Sequence, residues 1–164
     1  MDRCAECGFT YDLDLVGRAA AGIRSGADEY VALLTGDADV RERPEPAVWS
    51  VLEYGCHLRD VLLVQRERVL LARRTDQPTP EQMGRDERVE HDGYAEQVPT
   101  DVARQLADAA LLFANALGRL GPADWERTLV YHFPEPTVRP LRWVAMHTLH
   151  EVRHHLLDAR RQVE

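Results

Sequence analysis

Residues 141–158 read Leu-Arg-Trp-Val-Ala-Met-His-Thr-Leu-His-Glu-Val-Arg-His-His-Leu-Leu-Asp. Their apolar positions recur at helical spacing, which predicts a helix over about 138–161 with Thr137 as its N-cap. Four of the chain's seven histidines fall within the nine residues 147–155. At about 100° per residue, His150 and His154 share a face one turn apart. Trp143, Met146 and Leu157 lie on that face, so it is expected to point into a core. His147 sits slightly off the stripe. His155 points about the opposite way and is expected at the surface.

Upstream, three more amphipathic segments repeat the pattern. Val51, Tyr54, Leu58, Val61, Leu62 and Val69 make a stripe that predicts a helix over about 47–73. Pro46 suits its start, where a missing N–H has no helical partner to lose. His57 shares this stripe with Tyr54, Val61 and Val64, and is expected to point inward. Leu13, Val16, Ala20, Ile23, Tyr30 and Leu33 predict a first helix over about 13–34, in which Gly22 and Gly26 each cost about 1 kcal/mol relative to Ala. Leu106, Ala109, Ala110, Phe113, Leu117 and Leu120 predict a third, capped by Thr100 and stopped by Gly121-Pro122. The first 11 residues read as a non-helical lead and 123–136 as a connector. Residues 75–97, with Pro78, Pro80, Gly84 and Gly93, read as a long loop with room for one short helix. No run alternates with period two, so substantial strands are not expected. The reading is an all-α four-helix bundle, one domain over 1–164, with a long connection between its second and third helices.

Two inward histidines at i and i+4, joined by a third from a neighbouring helix, have the spacing to hold one divalent ion. The candidates are His57, His150 and His154. A single inward histidine is more often a hydrogen-bonded core residue. Three that converge without a common partner would leave several polar groups to satisfy separately. Asp60, three residues after His57, and Asp158, four after His154, are candidates to accept a ring N–H and fix a tautomer. Residues 150–154 also spell His-Glu-Val-Arg-His, the zinc-protease pattern. Such enzymes usually draw a third ligand from downstream, where only ten residues follow His154. A metal-dependent hydrolase of that kind is therefore the remote alternative.

The chain has 164 residues, 45% apolar and 29% charged, enough for one core. All 20 basic residues are arginine, against 28 acidic ones, for a net charge of -8. That balance argues against nucleic acid as a partner. No apolar run reaches the roughly 20 residues that span a bilayer. The charged opening lacks an apolar signal core, and three cysteines are an odd count, so a reducing, cytoplasmic setting is expected.

Taken together, Trp49-Ser50-Val51-Leu52-Glu53, His57-Leu58-Arg59-Asp60, and His150-Glu151-Val152-Arg153-His154-His155 with Asp158 resemble the DinB/YfiT-like superfamily of metal-binding four-helix bundles. The opening Cys4-Ala5-Glu6-Cys7-Gly8-Phe9-Thr10-Tyr11-Asp12 resembles the lead of an actinobacterial branch. The resemblance implies second and third helices that run the same way. It implies a divalent metal, zinc or nickel, on His57, His150 and His154. It also implies homodimers, and relatives that include mycothiol-dependent isomerases and thiol transferases. The expected function is thus S-transfer or isomerisation that uses a low-molecular-weight thiol and an electrophilic substrate. The alternative is a non-enzymatic, metal-stabilised bundle that binds a small molecule or partner.

Cys4-x-x-Cys7-Gly8 resembles half of a zinc knuckle. Three readings stand beside one another: free or packing thiols, a second metal site completed by His91, His132 or an acidic residue, and a redox pair. Cys56, about 100° round the helix from His57, is expected to face away from its metal.

Overall fold

The computed structural model describes residues 3–163; Met1, Asp2 and Glu164 of the expected domain lie outside the described residues. Four long helices carry the fold: α1 (Ala19–Leu34, led in by a 3₁₀ turn over Leu13–Arg18), α2 (Val51–Arg74), α4 (Pro99–Leu117) and α6 (Leu141–Val163). Between them stand the short helices α3 (Arg85–His91) and α5 (Pro122–Trp125) and the strands β1 (Thr128–Tyr131) and β2 (Thr137–Pro140).

Local chemistry sets the boundaries. Helix α2 begins at Val51, later than Ala47, because Ser50 and Glu53 form a reciprocal capping box. Helix α4 begins at Pro99, so Thr100 is not its cap. Val98, held extended before the proline, takes the N-cap place. Helix α6 begins at Leu141, three residues after the expected Val138. Pro140 disfavours the helical region for Arg139, and residues 137–140 pair instead as β2, antiparallel to β1, with Thr137 opposite Tyr131 and Val138 opposite Val130. This hairpin is the strand structure that the sequence pattern did not announce. The Val130 N–H donates to the Pro78 carbonyl at 2.9 Å, which ties it to the chain leaving α2.

The 75–98 connection runs back along α2. Arg68 donates to the Glu81 carbonyl at 3.0 Å, Arg88 to Asp60 at 3.1 Å, and Arg59 to Gln97 at 2.6 Å. The chain therefore re-enters the bundle beside the first half of α2, where Arg59 meets Gln105 of α4 at 2.7 Å. So α2 and α4 run parallel, as a crossover of this length permits. Helix α6 runs antiparallel to α2: Gln162 donates to the Trp49 carbonyl at 3.0 Å, and His155 stacks on Tyr54. Helices α1 and α6 run parallel, with Gly22 against Leu149 and Gly26 against Val152. A Cβ at Gly26 would lie 2.5 Å from Val152 Cγ1. The absent side chain is thus what lets the two backbones close up. Each of α1 and α2 packs on both α4 and α6, which makes the order up-down-down-up. Ile23, Tyr30, Leu52, Leu58, Leu62, Leu106, Phe113 and Leu141 fill the core between them, each fully buried.

Candidate metal centres

The antiparallel pairing of α2 and α6 fixes which histidines meet. His57 on α2 lies against His155 on α6, ring centroids 5.1 Å apart, and Glu151 stands one turn before His155. One ligand atom from each of His57, Glu151 and His155 falls within 4.8 Å of the other two. His155 Nε2 is 3.6 Å from Glu151 Oε2, and His155 Nδ1 is 3.3 Å from Asp158 Oδ2. The indole of Trp49 packs 5.2 Å from His57, and Tyr54 stacks at 5.0 Å on His155. His57 is buried, and its Nδ1 has no hydrogen-bond partner. A buried imidazole nitrogen without a partner is costly unless something binds it. Two imidazoles and a carboxylate, drawn from two helices, fit a divalent ion.

Charge at this point is uneven. Burial, with the charge of His155, pushes His57 down to about 3. Burial opposes the charge on His155 too, but the Asp158 and Glu151 carboxylates overcome it and lift that ring to about 9. Glu151 is held well below the usual carboxylate range: burial resists its charge, and His150 and His155 more than offset that.

The neighbouring face of α6 receives the N-terminal lead. The Tyr11 hydroxyl is 2.8 Å from His147 Nδ1, and its ring stacks on Trp143 at 5.9 Å. Phe9 packs 5.4 Å from His150. Cys4 Sγ lies 3.8 Å from His154 Nδ1. Cys4, Cys7, His150 and His154 form a second set whose ligand atoms all lie within 4.8 Å of one another. The Cys7 N–H and neighbouring donors hold the Cys4 thiol down at about 6, while burial raises that of Cys7.

The structure divides the expected triad. Among the described residues no ligand set joins His57 to His150 or His154; His57 meets Glu151 and His155, while His150 and His154 meet Cys4 and Cys7, and Glu151 also lies near His147 and His150 and Asp158 near His154 and His155. Trp143, His150 and His154 of the expected stripe do face inward, but against Tyr11, Phe9 and Cys4 of the lead rather than α2. His155, expected at the surface, has only 16% of its side chain exposed. The signal for the other pair was available, since 151 and 155 are also four apart. It was not decisive, because α6 is covered on almost every side, and apolar residues then mark no single face.

Asp60 does not reach a histidine. Arg59 at 2.8 Å, the Tyr94 hydroxyl at 2.7 Å and Arg88 at 3.1 Å take its carboxylate and pin the crossover to α2. Asp158 lies 3.5 Å from His154 Nε2 as well as beside His155. Cys56 is buried with its thiol toward the Tyr94 carbonyl and Gln97, and burial pushes it up to about 12. Neither His91 nor His132 joins Cys4 and Cys7.

The family model described as the DinB superfamily matches residues 22–159. A search of curated proteins found no match. Among solved structures the fold is similar to that described as "YfiT from Bacillus subtilis is a probable metal-dependent hydrolase with an unusual four-helix bundle topology". The two agree with a TM-score of 0.68 at 14% identity, over 92% of this chain and 84% of that one.

Proposed function

Because the chain belongs to the DinB superfamily, we propose that it is a metal-dependent enzyme whose His57, Glu151 and His155 hold a divalent ion between α2 and α6. The observation that carries this reading is the convergence of those three donors from two helices, with His57 Nδ1 buried and unpartnered. Asp158 faces His155 Nδ1, which leaves Nε2 directed toward Glu151 and the ion. Trp49 and Tyr54 wall the two imidazoles and limit the approach of bulk water. Three protein donors leave the ion an open position, as in catalytic rather than structural sites. When bound there, the ion supplies a Lewis acid that lowers the pKa of a small nucleophile from solution. Two histidines and a glutamate favour water as that nucleophile, since the same donors serve zinc hydrolases. The similar fold of a probable metal-dependent hydrolase supports it.

A second reading, transfer of a low-molecular-weight thiol such as mycothiol to an electrophile, rests on the resemblance of the sequence motifs. No cysteine belongs to the ligand set of this centre, so in that reading the sulfur comes from outside the protein. Among the described residues no helix is long and apolar enough to cross a membrane.

The test uses a Cys4→Ser/Cys7→Ser background, so that only the bundle centre is counted. Zinc and nickel should each bind one per chain, and His57→Ala or His155→Ala should abolish that binding. Hydrolysis of aryl esters and conjugation of a thiol to an electrophile are then assayed side by side, with metal loaded and removed. Binding that survives both histidine substitutions would overturn the proposed ligands. Metal-independent turnover, or none with either nucleophile, would overturn the enzymatic reading.

A further inference from the structure

The second cluster lies on the adjoining face of α6 and draws on different ligand residues, with Glu151 3.3 Å from His150 and Asp158 3.5 Å from His154 between the two. We propose that Cys4, Cys7, His150 and His154 form a closed Cys2His2 zinc site that staples the N-terminal lead to α6. The Cys4 N–H donates to the Phe9 carbonyl at 2.8 Å and the Gly8 N–H to the Cys4 carbonyl at 3.0 Å. Arg3 and Thr10 close the loop as a β-bridge. Gly8 has φ 72°, the left-handed conformation that turns the chain just after Cys7. This tight loop presents both sulfurs to one side.

Helix α6 supplies the other half. His150 and His154, one turn apart, face the sulfurs, and all four ligand atoms lie within 4.8 Å of one another. The 3.8 Å from Cys4 Sγ to His154 Nδ1 is close to the edge of about 3.6 Å expected for a tetrahedron with Zn–S near 2.3 Å and Zn–N near 2.0–2.1 Å.

Two independent observations point to a ligand. His150 is buried, with 8% exposed, and neither of its ring nitrogens makes an aligned hydrogen bond; Nδ1 lies 3.3 Å from Glu151 Oε1 and Nε2 has no partner. His154 is oriented as ligand histidines usually are. With Nδ1 toward Cys4, its Nε2 lies 3.3 Å from Glu6 and 3.5 Å from Asp158, acceptors for an N–H that fixes the tautomer. Two thiolates and two imidazoles suit zinc and fill its four positions, so the site is structural rather than catalytic. On binding, each cysteine gives up one proton to solvent. The two thiolates then cancel the ion's charge where the cluster is half-buried.

The experiment replaces bound zinc with cobalt in the full chain. Thiolate-to-cobalt charge-transfer bands in the near ultraviolet are expected. Cys4→Ser/Cys7→Ser should remove them, and His150→Asn/His154→Asn should lose the tetrahedral visible bands. His57→Ala should leave both intact, so failure of the bundle centre is told apart from failure of this site. On the unmutated protein, zinc should protect Cys4 and Cys7 from alkylation at least tenfold, and a chelator should remove that protection. Absence of charge-transfer bands, equal alkylation with and without zinc, or a Cys4–Cys7 disulfide in zinc-treated protein would each overturn the proposal.

Discussion

Asp60 shows how much one side chain decides. Its carboxylate accepts from Arg59, Tyr94 and Arg88, so a single buried charge joins α2, the crossover and α3. Burial resists its ionisation, but Arg59 and Tyr94 hold its pKa below the ordinary value. The sign follows: a depressed carboxylate stabilises the fold above its unfolded pKa of about 3.9, and that contribution is lost as pH falls through the folded value. Asp60→Asn leaves the buried Arg59 with only the exposed Asp92 carboxylate, 3.3 Å away, as its anion. We expect a loss of about 3–5 kcal/mol, measured by urea unfolding at pH 7. Below pH 3 the difference from the unmutated protein should shrink. An equal deficit at both pH values would show that the charge is not what matters.

Among the elements, α1 and α6 are held close by what α1 lacks. Gly22 and Gly26 read as weaknesses in an isolated helix, and against α6 they become the contact surface. Gly26→Ala would gain helix propensity worth about 1 kcal/mol. It would also place a methyl 2.5 Å from Val152 Cγ1 in a parallel pair with little room to shift. Overpacking of this kind costs about 1–3 kcal/mol, so a net loss is expected. Val152→Ala in the same chain should recover part of it, whereas Val152→Ala alone should destabilise by leaving a cavity. Additive effects of the two substitutions in thermal melts would refute the contact.

For the whole molecule, the core between the four long helices is continuous without any metal, because every long helix buries apolar residues against two neighbours. Chelation should therefore lower Tm by about 10 °C and leave the far-ultraviolet helical signal in place, unlike a zinc finger. Complete loss of helicity in the apo protein would contradict this. The helices themselves were legible in the sequence, since a 3.6-residue apolar period is a local property that each segment carries wherever it packs. The parallel course of α2 and α4 was implied only by resemblance; the contacts of Glu81, Arg88 and Gln97 along α2 establish it. The β1–β2 hairpin was not legible, because two four-residue strands are too short to show a period and gain their stability by pairing. Histidines on α6 were recognised as ligand candidates, and their partners were not. One residue is about 100° of helix, and α6 is surrounded by α1, α2 and the lead. The sequence determined that the last helix carries four histidines, the candidate metal ligands. Only the packing of α2 on one side and of Cys4 and Cys7 on another decided which residues stand together, because long-range neighbours are set by how helices dock and not by the spacing within any one of them.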